Sequence, residues 1–353
     1  MDTIFLAKAL CYGFSLEKDE LEKAAKIFNL REGFVHGIVF LINNTRPVNT
    51  IIGDRQSSPE KAIKLTLDGD VLVARNNGEK IIIKIIDEPS TISGGAIGKK
   101  KVSDFFSMHS PKTLFTTPLR ECVFAVENEI CKFCTFENSA MQPLAPEEFL
   151  DVVSKVANEL GFVPSIAIGA GTPNKNDHGV RYFSQIVGLL KKEFNADISV
   201  EMVPPHDIED LSMLFDAGVN SMVMSLELWN DEKRKYYCPG KSYISKNHYL
   251  EAHKFTQKNL GRGTTSSVLL YGLESHDESV SGISKLTSSG IVPTLIPFRP
   301  YPDTEMSNYP YANHNEYVRI SAMNRLLMSS EGIGPQFQKG CAECGGCSIE
   351  IVN

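Results

Sequence analysis

The chain has 353 residues, of which 42% are hydrophobic and 22% are charged, and its formal net charge is -7 at pH 7. This composition is too apolar for a disordered protein and is sufficient for one large domain or two ordinary ones. The acidic balance, without a recurring Lys/Arg cluster, disfavours nucleic-acid binding. The longest apolar run, residues 33–42, is too short to span a bilayer and indicates no membrane partner. With no recognisable signal peptide, we expect a cytoplasmic protein.

The first hundred residues indicate a small α+β domain, assigned here to residues 1–100. A charged helix is predicted over Leu16–Phe28, followed by an apolar segment at Phe34–Ile42. Three strands are then predicted at Ile63–Leu67, Val71–Ala74 and Lys80–Ile86. The Asp-Gly and Asn-Gly turns between them are typical of an antiparallel meander. A stretch with Gly and Lys, Ser93–Lys101, indicates a boundary to the next domain.

From about residue 118 to residue 331, short apolar runs alternate with amphipathic ones. Strands are predicted at Leu119–Val126, Pro164–Gly169, Ile198–Val203, Ser221–Glu227, Thr265–Tyr271 and Ile291–Pro297. Helices are predicted at Pro146–Leu160, Gly179–Phe194, Ile208–Ala217, Ile244–Gln257, Glu274–Ser289 and Asn315–Ser330. Six βα units predict an α/β fold with a parallel sheet, either doubly wound or a partial barrel. The polar and Gly-rich strand ends mark its active-site edge. We assign residues 101–312 to this domain and 313–353 to a C-terminal segment.

Six of the eight cysteines form two groups. They are Cys122-x8-Cys131-x2-Cys134 and Cys341-x2-Cys344-x2-Cys347. A cytosolic chain of this length does not need disulfides. Structural zinc prefers four ligands from Cys and His, whereas each group offers three thiols without a neighbouring His. Three thiolates fit an iron–sulfur cluster with one open iron. Metal binding is therefore predicted for both groups, with zinc as the alternative to iron–sulfur.

The motifs after the predicted strands resemble the radical S-adenosylmethionine (SAM) superfamily. The usual cysteine signature there is C-x3-C-x2-C, so the first gap of eight residues departs from it, while Lys132-Phe133-Cys134 fits. Gly169-Ala170-Gly171-Thr172 resembles the glycine-rich turn that meets the SAM amino group, and Ser225-Leu226-Glu227 resembles the motif near the ribose. The strand ending in Tyr271-Gly272 and the segment Ile296–Pro300 resemble the fifth and sixth strands.

This resemblance implies a partial (β/α)6 TIM-type barrel with a small N-terminal α+β domain and a C-terminal cluster-binding tail. It implies a [4Fe–4S] cluster on Cys122, Cys131 and Cys134 that binds SAM through its open iron and yields a 5′-deoxyadenosyl radical. The residues expected to contact SAM are Phe133, Gly169, Gly171, Thr172, Glu227, Arg262 and Gly272. For Arg262, the expected partner is the SAM carboxylate.

The C-terminal cysteines predict a second, auxiliary [4Fe–4S] cluster. Cys341, Cys344 and Cys347 lie within seven residues, and the glycines among them permit a tight backbone. The alternative is a zinc knuckle whose fourth ligand would be Cys238, Cys11 or a His.

Several short motifs resemble those of a radical SAM group. This group includes one subunit of the two-protein lipoyl synthase and a sister group encoded beside nitrilases. The motifs include Gly171-Thr172-Pro173-Asn174, Pro239-Gly240-Lys241, Gly261-Arg262-Gly263 and the terminal cysteines. This resemblance implies sulfur insertion into an octanoyl chain, with the auxiliary cluster as donor. The implied partners are an octanoylated lipoyl carrier domain or glycine-cleavage H protein, a second synthase subunit and a low-potential donor such as ferredoxin. The alternatives are a radical SAM enzyme of another outcome and a metal-binding protein without activity.

Overall fold

A computed structural model describes residues 2–28, 37–52, 60–135, 142–302, 304–334 and 341–350. In these ranges the chain forms two main sheets, one near the amino terminus and one from Phe106 to Pro297. No helix in the described ranges is long and apolar enough to cross a membrane.

The amino-terminal sheet has six strands in the order β1-β4-β5-β6-β2-β3. Their bounds are β1 Phe14–Ser15, β2 Ile38–Ile42, β3 Arg46–Thr50, β4 Ile63–Asp68, β5 Val71–Asn76 and β6 Glu79–Ile85. The β4–β5 and β5–β6 pairs are antiparallel, and the turns between them contain left-handed Gly69 and Asn77-Gly78. The predicted meander is therefore confirmed. Strand β2 is the end of the apolar segment Phe34–Ile42, whose first three residues lie outside the described ranges.

Three helices accompany this sheet. They are α1 (Thr3–Tyr12), α2 (Lys18–Ile27) and α3 (Ser90–Ser93). Helix α2 was predicted, but α1 was not. Helix α1 is apolar along most of its length and buries Leu10, Cys11 and Tyr12, so it lacks the one-sided stripe by which a helix is recognised in a sequence. Asp2 begins it by accepting a hydrogen bond from the Ile4 N–H at 2.9 Å.

The second sheet has seven strands in the order β15-β14-β13-β12-β11-β10-β9. Their bounds are β9 Phe106–Ser110, β10 Thr113–Thr116, β11 Ser165–Gly169, β12 Ile198–Glu201, β13 Ser221–Val223, β14 Thr265–Tyr271 and β15 Val292–Pro297. Strands β10 to β15 are parallel, and β9 pairs antiparallel with β10. The small ribbon of β7 (Ala96–Ile97) and β8 (Lys100–Lys101) precedes it. The parallel sheet curls as a partial barrel, which confirms the predicted fold class.

From residue 123 onward the described residues contain the six predicted helices and four short ones that the βα pattern did not predict. They are α4 Val123–Val126, α5 Pro146–Leu160, α6 Val180–Glu193, α7 Ser212–Ala217, α8 Asp231–Tyr237, α9 Pro239–Ser242, α10 Lys246–Leu260, α11 His276–Ser288, α12 His314–Ser330 and α13 Cys341–Cys344. Helix α5 has the predicted bounds, since Pro146 begins it and Gly161 ends it in the left-handed conformation.

The prediction of the first barrel strand was wrong. Leu119–Val126 forms a loop and the short helix α4, and β10 fills the position beside β11 instead. The Val123 N–H donates to the Thr172 carbonyl at 2.7 Å. Its hydrogen-bond partner is therefore a loop residue and not a neighbouring strand. The predicted strand Ser221–Glu227 also ends early, at Val223.

Candidate active site

A cavity of about 370 Å³ lies at the carboxyl ends of β10 to β13. Its volume is in the range of small-molecule sites. Most of its wall is apolar, from Phe105, Phe106, Phe115, Phe124, Ile130, Phe133, Met202 and Val203. Asn49 of β3 and His109 of β9 also line it, so the amino-terminal part of the chain completes a cavity that the barrel begins.

The three cysteines of the first group line this cavity. Cys122 precedes α4, and Cys131 and Cys134 follow it, with the Cys134 N–H donating to the Cys131 carbonyl at 2.8 Å. The glycine-rich turn presses directly on this loop. A Cβ at Gly171 would lie 2.2 Å from the Glu121 carbonyl oxygen and 2.9 Å from the Cys122 Cβ. Only glycine therefore permits this approach.

Cys131 lies against a fourth thiol, that of Cys238, which stands between α8 and α9. A hydrogen bond from the Cys238 thiol, followed in size by the opposing effect of burial and by the attraction of Lys241, lowers the pKa of Cys131. Burial raises the pKa of Cys238 well above its usual value. The side chains of Cys131 and Cys238 thus lie together in one buried apolar cluster.

Glu201, Glu227 and Lys241 form an ionisable group on the wall, which Asp104 also lines. Lys241 Nζ donates to Glu227 Oε1 at 2.5 Å, with 21% and 10% of the two side chains exposed. Burial, and then the charge of Glu227, raises the pKa of Glu201 to about 7. Lys241 thus neutralises one carboxylate, and burial favours the protonated form of the other.

The position of Glu227 depends on an unusual backbone conformation. Its φ is 65°, a region that residues with a side chain adopt rarely. Glu227 lies beyond the end of β13 but still pairs with β14. Its N–H donates to the Val268 carbonyl at 3.0 Å, and the Leu270 N–H donates to the Glu227 carbonyl at 2.7 Å. The two ladder bonds hold the strained residue and direct its side chain into the cavity.

Five of the seven residues predicted to contact SAM line the cavity. They are Phe133, Gly169, Gly171, Thr172 and Glu227. Gly272 follows β14 but packs against Ala312 and lines a separate depression. Arg262 was predicted wrongly. It precedes β14, at the edge of the sheet opposite the cavity, and its guanidinium donates to the Glu331 carbonyl at 2.9 Å. Its side chain is taken up by α12 and therefore does not reach the cavity.

The C-terminal segment packs behind one wall of the cavity. The Asn49 N–H donates to the Gly346 carbonyl at 2.7 Å, and the Cys344 thiol donates to the His109 carbonyl at 3.7 Å. Burial raises the pKa of Cys344 to about 12 and raises that of Cys347, which lies near Arg299, Asn49 and Glu201. The side chain of Cys341 lies outside the described part. Two of the three tail thiols thus stand beside residues that line the cavity.

The donor sets fit iron–sulfur clusters in their chemistry. Cys122, Cys131 and Cys134 share one cavity. In the tail, the Gly346 N–H donates to Cys344 Sγ at 3.3 Å. Within the described residues, no three His, Cys, Asp or Glu side chains converge as ligands of a single metal ion.

Several residues of the site carry only a weak signal in the sequence. Asn49 and His109 lie on strands without any motif, and only the structure brings them to the cavity. Lys241 belongs to the motif Pro239-Gly240-Lys241, whereas Cys238 is indicated by the sequence only as a possible extra ligand. Their partners, Cys131 for Cys238 and Glu227 for Lys241, could not be identified before the fold was known.

Known proteins resemble this chain over the same region. Residues 120–282 match the family model of the radical SAM superfamily. The match supports a radical SAM enzyme. It covers the cysteine loop, the glycine-rich turn and Glu227, which line part of the cavity described above.

Curated relatives match the chain over part of its length. The bacteriochlorophyllide c C-7(1)-hydroxylase of Chlorobaculum limnaeum is 27% identical over 194 residues, which are 52% of this chain and 48% of the relative. The 5-amino-6-(D-ribitylamino)uracil–L-tyrosine 4-hydroxyphenyl transferase of Nostoc punctiforme is 28% identical over 185 residues, 45% of each chain. The chain thus spans about half the length of the curated relatives it matches.

Among solved structures, methylornithine synthase (PylB) superimposes with a TM-score of 0.51 and 16% identity, over 62% of each chain. This likeness supports the fold.

Proposed function

We propose that this chain is a radical SAM enzyme that inserts sulfur into an octanoyl chain, as a component of a lipoyl synthase. The observation that carries the proposal is the position of the tail. Cys344 contacts His109, and Cys347 lies near Asn49 and Glu201, and these three partners all line the cavity. A sulfur donor held by the tail would be next to a substrate bound there.

The shape and chemistry of the cavity support an aliphatic substrate. Its wall is dominated by aromatic and aliphatic side chains, and three of its ionisable side chains, Glu201, Glu227 and Lys241, lie together. An alkyl chain gains by leaving water for such a surface. The apolar wall also keeps water and foreign hydrogen donors from a reactive species.

The cofactor would supply the difficult step. Cys122, Cys131 and Cys134 would hold a [4Fe–4S] cluster with SAM bound to it, which would supply the radical chemistry needed to remove hydrogen from an unactivated carbon. The chain's own residues bind and orient. Gly171 and Thr172 bring the backbone close to the cysteine loop, and Glu227, held by Lys241, offers an acceptor to the hydroxyl groups of a ribose. A second cluster on Cys341, Cys344 and Cys347 would be the sulfur donor.

The proposal includes its partners. The substrate would arrive on a lysine of an octanoylated lipoyl carrier domain or glycine-cleavage H protein. A second synthase subunit would complete the reaction, and a low-potential donor such as ferredoxin would supply electrons.

The test is a single-turnover assay by mass spectrometry after anaerobic reconstitution, with SAM, a reductant and an octanoylated carrier-domain peptide. We expect 5′-deoxyadenosine and a peptide that has gained one sulfur. Cys344→Ala should still form 5′-deoxyadenosine but leave the peptide unchanged, whereas Cys131→Ala should form neither. SAM cleavage that survives replacement of both Cys131 and Cys134 would refute the assignment of the first cluster.

A second candidate is hydroxylation of a carbon, and the named activity of the Chlorobaculum limnaeum relative favours it. The same assay separates the two, because the product would gain one oxygen and the tail cluster would keep its sulfide. Deoxyadenosine without any change in the peptide would exclude octanoyl sulfur insertion by this chain alone and would direct the search to another substrate.

A further inference from the structure

We propose that Cys238 is a positioning residue of the first cluster. It donates a hydrogen bond from its thiol to the sulfur of Cys131 and thereby raises the reduction potential of the cluster. The inference rests on the proposed function only in that Cys131 is taken as a cluster ligand. It assigns a role to the segment Tyr237–Lys241, which none of the SAM motifs includes.

Two backbone hydrogen bonds hold Cys238 against the cysteine loop. The Lys132 N–H donates to the Tyr237 carbonyl at 2.9 Å, and the Gly240 N–H donates to the Glu129 carbonyl at 3.0 Å. One bond lies on each side of the Cys131–Cys238 pair, so the two segments are paired along their length. The contact of the thiols is therefore fixed by the main chain.

The segment that carries Cys238 is itself anchored. The guanidinium of Arg234, which is 2% exposed, donates to the carbonyls of Leu226, Lys241 and Ile244 at 3.2–3.3 Å. A Cβ at Gly240 would lie 2.4 Å from the ring of Phe124, in the helix that follows Cys122. The segment thus touches the cysteine loop at both ends and has little room to move away.

Both thiols are removed from water. Cys238 is 0% exposed and Cys131 is 7% exposed, and they share an apolar cluster with Leu228, Tyr237 and Phe298. A hydrogen bond in such surroundings is stronger than one in water.

The effect on the cluster follows from its charge. Reduction adds one electron, supplied by the reductant, and makes the cluster and its thiolates more negative. A donor directed at a ligand sulfur stabilises the reduced form more than the oxidised form and so raises the potential. Removal of the donor should lower it.

The experiment is a redox titration of the reconstituted full-length protein, followed by EPR with and without SAM. The first cluster is identified as the one whose signal changes when SAM is added. In Cys238→Ala we expect the equilibrium between oxidised and reduced cluster to shift about tenfold toward the oxidised form, or about 59 mV for one electron. Cys238→Ser, whose hydroxyl donates, should restore the potential to within a factor of about two of the wild-type equilibrium.

The matched control is Cys11→Ala, which removes another thiol that is 0% exposed, on α1. It should leave the SAM-sensitive signal and its potential unchanged. Iron content and urea unfolding of each apoprotein verify that the variants fold.

An unchanged potential in Cys238→Ala would overturn the inference. So would loss of the SAM-sensitive iron in both Cys238 variants, because Cys238 would then be a ligand. If the wild type itself shows no SAM-sensitive signal, the proposed function fails instead, and the two failures are distinguishable.

Discussion

Replacement of Glu201 by Gln should stabilise the apoprotein at alkaline pH. Burial raises the pKa of this carboxyl from 4.5 to about 7, and the charge of Glu227 adds to the effect. In the fold the group keeps its proton over a range in which the unfolded chain has lost it. Stability is therefore lost progressively as the pH rises from about 4.5 through about 7. The difference between the two pKa values corresponds to about 3 kcal/mol.

The assay is urea unfolding of the apoprotein at about pH 4.5 and about pH 8. The neutral amide is free of the ionisation cost, so E201Q should match the wild type at the lower pH and exceed it by up to about 3 kcal/mol at the higher one. The control is Glu251→Gln, an exposed glutamate of α10, which should have the same effect at both values. A gain from E201Q that does not depend on pH, or a loss at alkaline pH, would refute the reasoning.

Three further outcomes test the site. Gly171→Ala should displace the backbone at Glu121 and Cys122, because the added Cβ would lie 2.2 Å from the Glu121 carbonyl oxygen. Iron analysis of the reconstituted variant should then show loss of iron from the first cluster, and full iron content would contradict this expectation. Lys241→Met should destabilise the apoprotein by roughly 3–5 kcal/mol in urea unfolding, since Glu227 would remain buried without its partner. Addition of Glu227→Gln to this variant should recover most of the lost stability. A double variant as unstable as Lys241→Met would show that the ion pair is not the cause. Cys347→Ala should leave the SAM-sensitive EPR signal intact while reducing total iron, and retention of all iron would argue against a tail cluster.

The barrel could be predicted because its signals are local. Strand β14 was predicted residue for residue, since Thr265–Tyr271 is an apolar run bounded by Gly263 and Gly272. Helix α5 carries its own start and stop signals in Pro146 and Gly161.

The failures concern features that depend on distant partners. Leu119–Val126 has the composition of a strand, but its hydrogen bond goes to Thr172. Arg262 belongs to a motif, Gly261-Arg262-Gly263, that resembles one of a known family. Because it precedes β14, it lies at the edge of the sheet opposite the cavity, where it donates to the Glu331 carbonyl. The pairs Cys131–Cys238 and Lys241–Glu227 cross long stretches of sequence, and periodicity contains no information on such contacts.

The junction at Asn49 has a consequence for modularity. Its N–H donates to the Gly346 carbonyl, and its own carbonyl accepts a hydrogen bond from Arg299 at 2.8 Å. The amino-terminal sheet, the segment that follows the last barrel strand and the tail therefore meet at one residue. Substitutions among residues in such contact are not additive. The barrel alone therefore does not specify where the tail cysteines stand. A chimera that exchanges only the barrel with a relative would carry the radical machinery but lose the register of the tail, whereas transfer of the amino-terminal sheet and the tail together would preserve it.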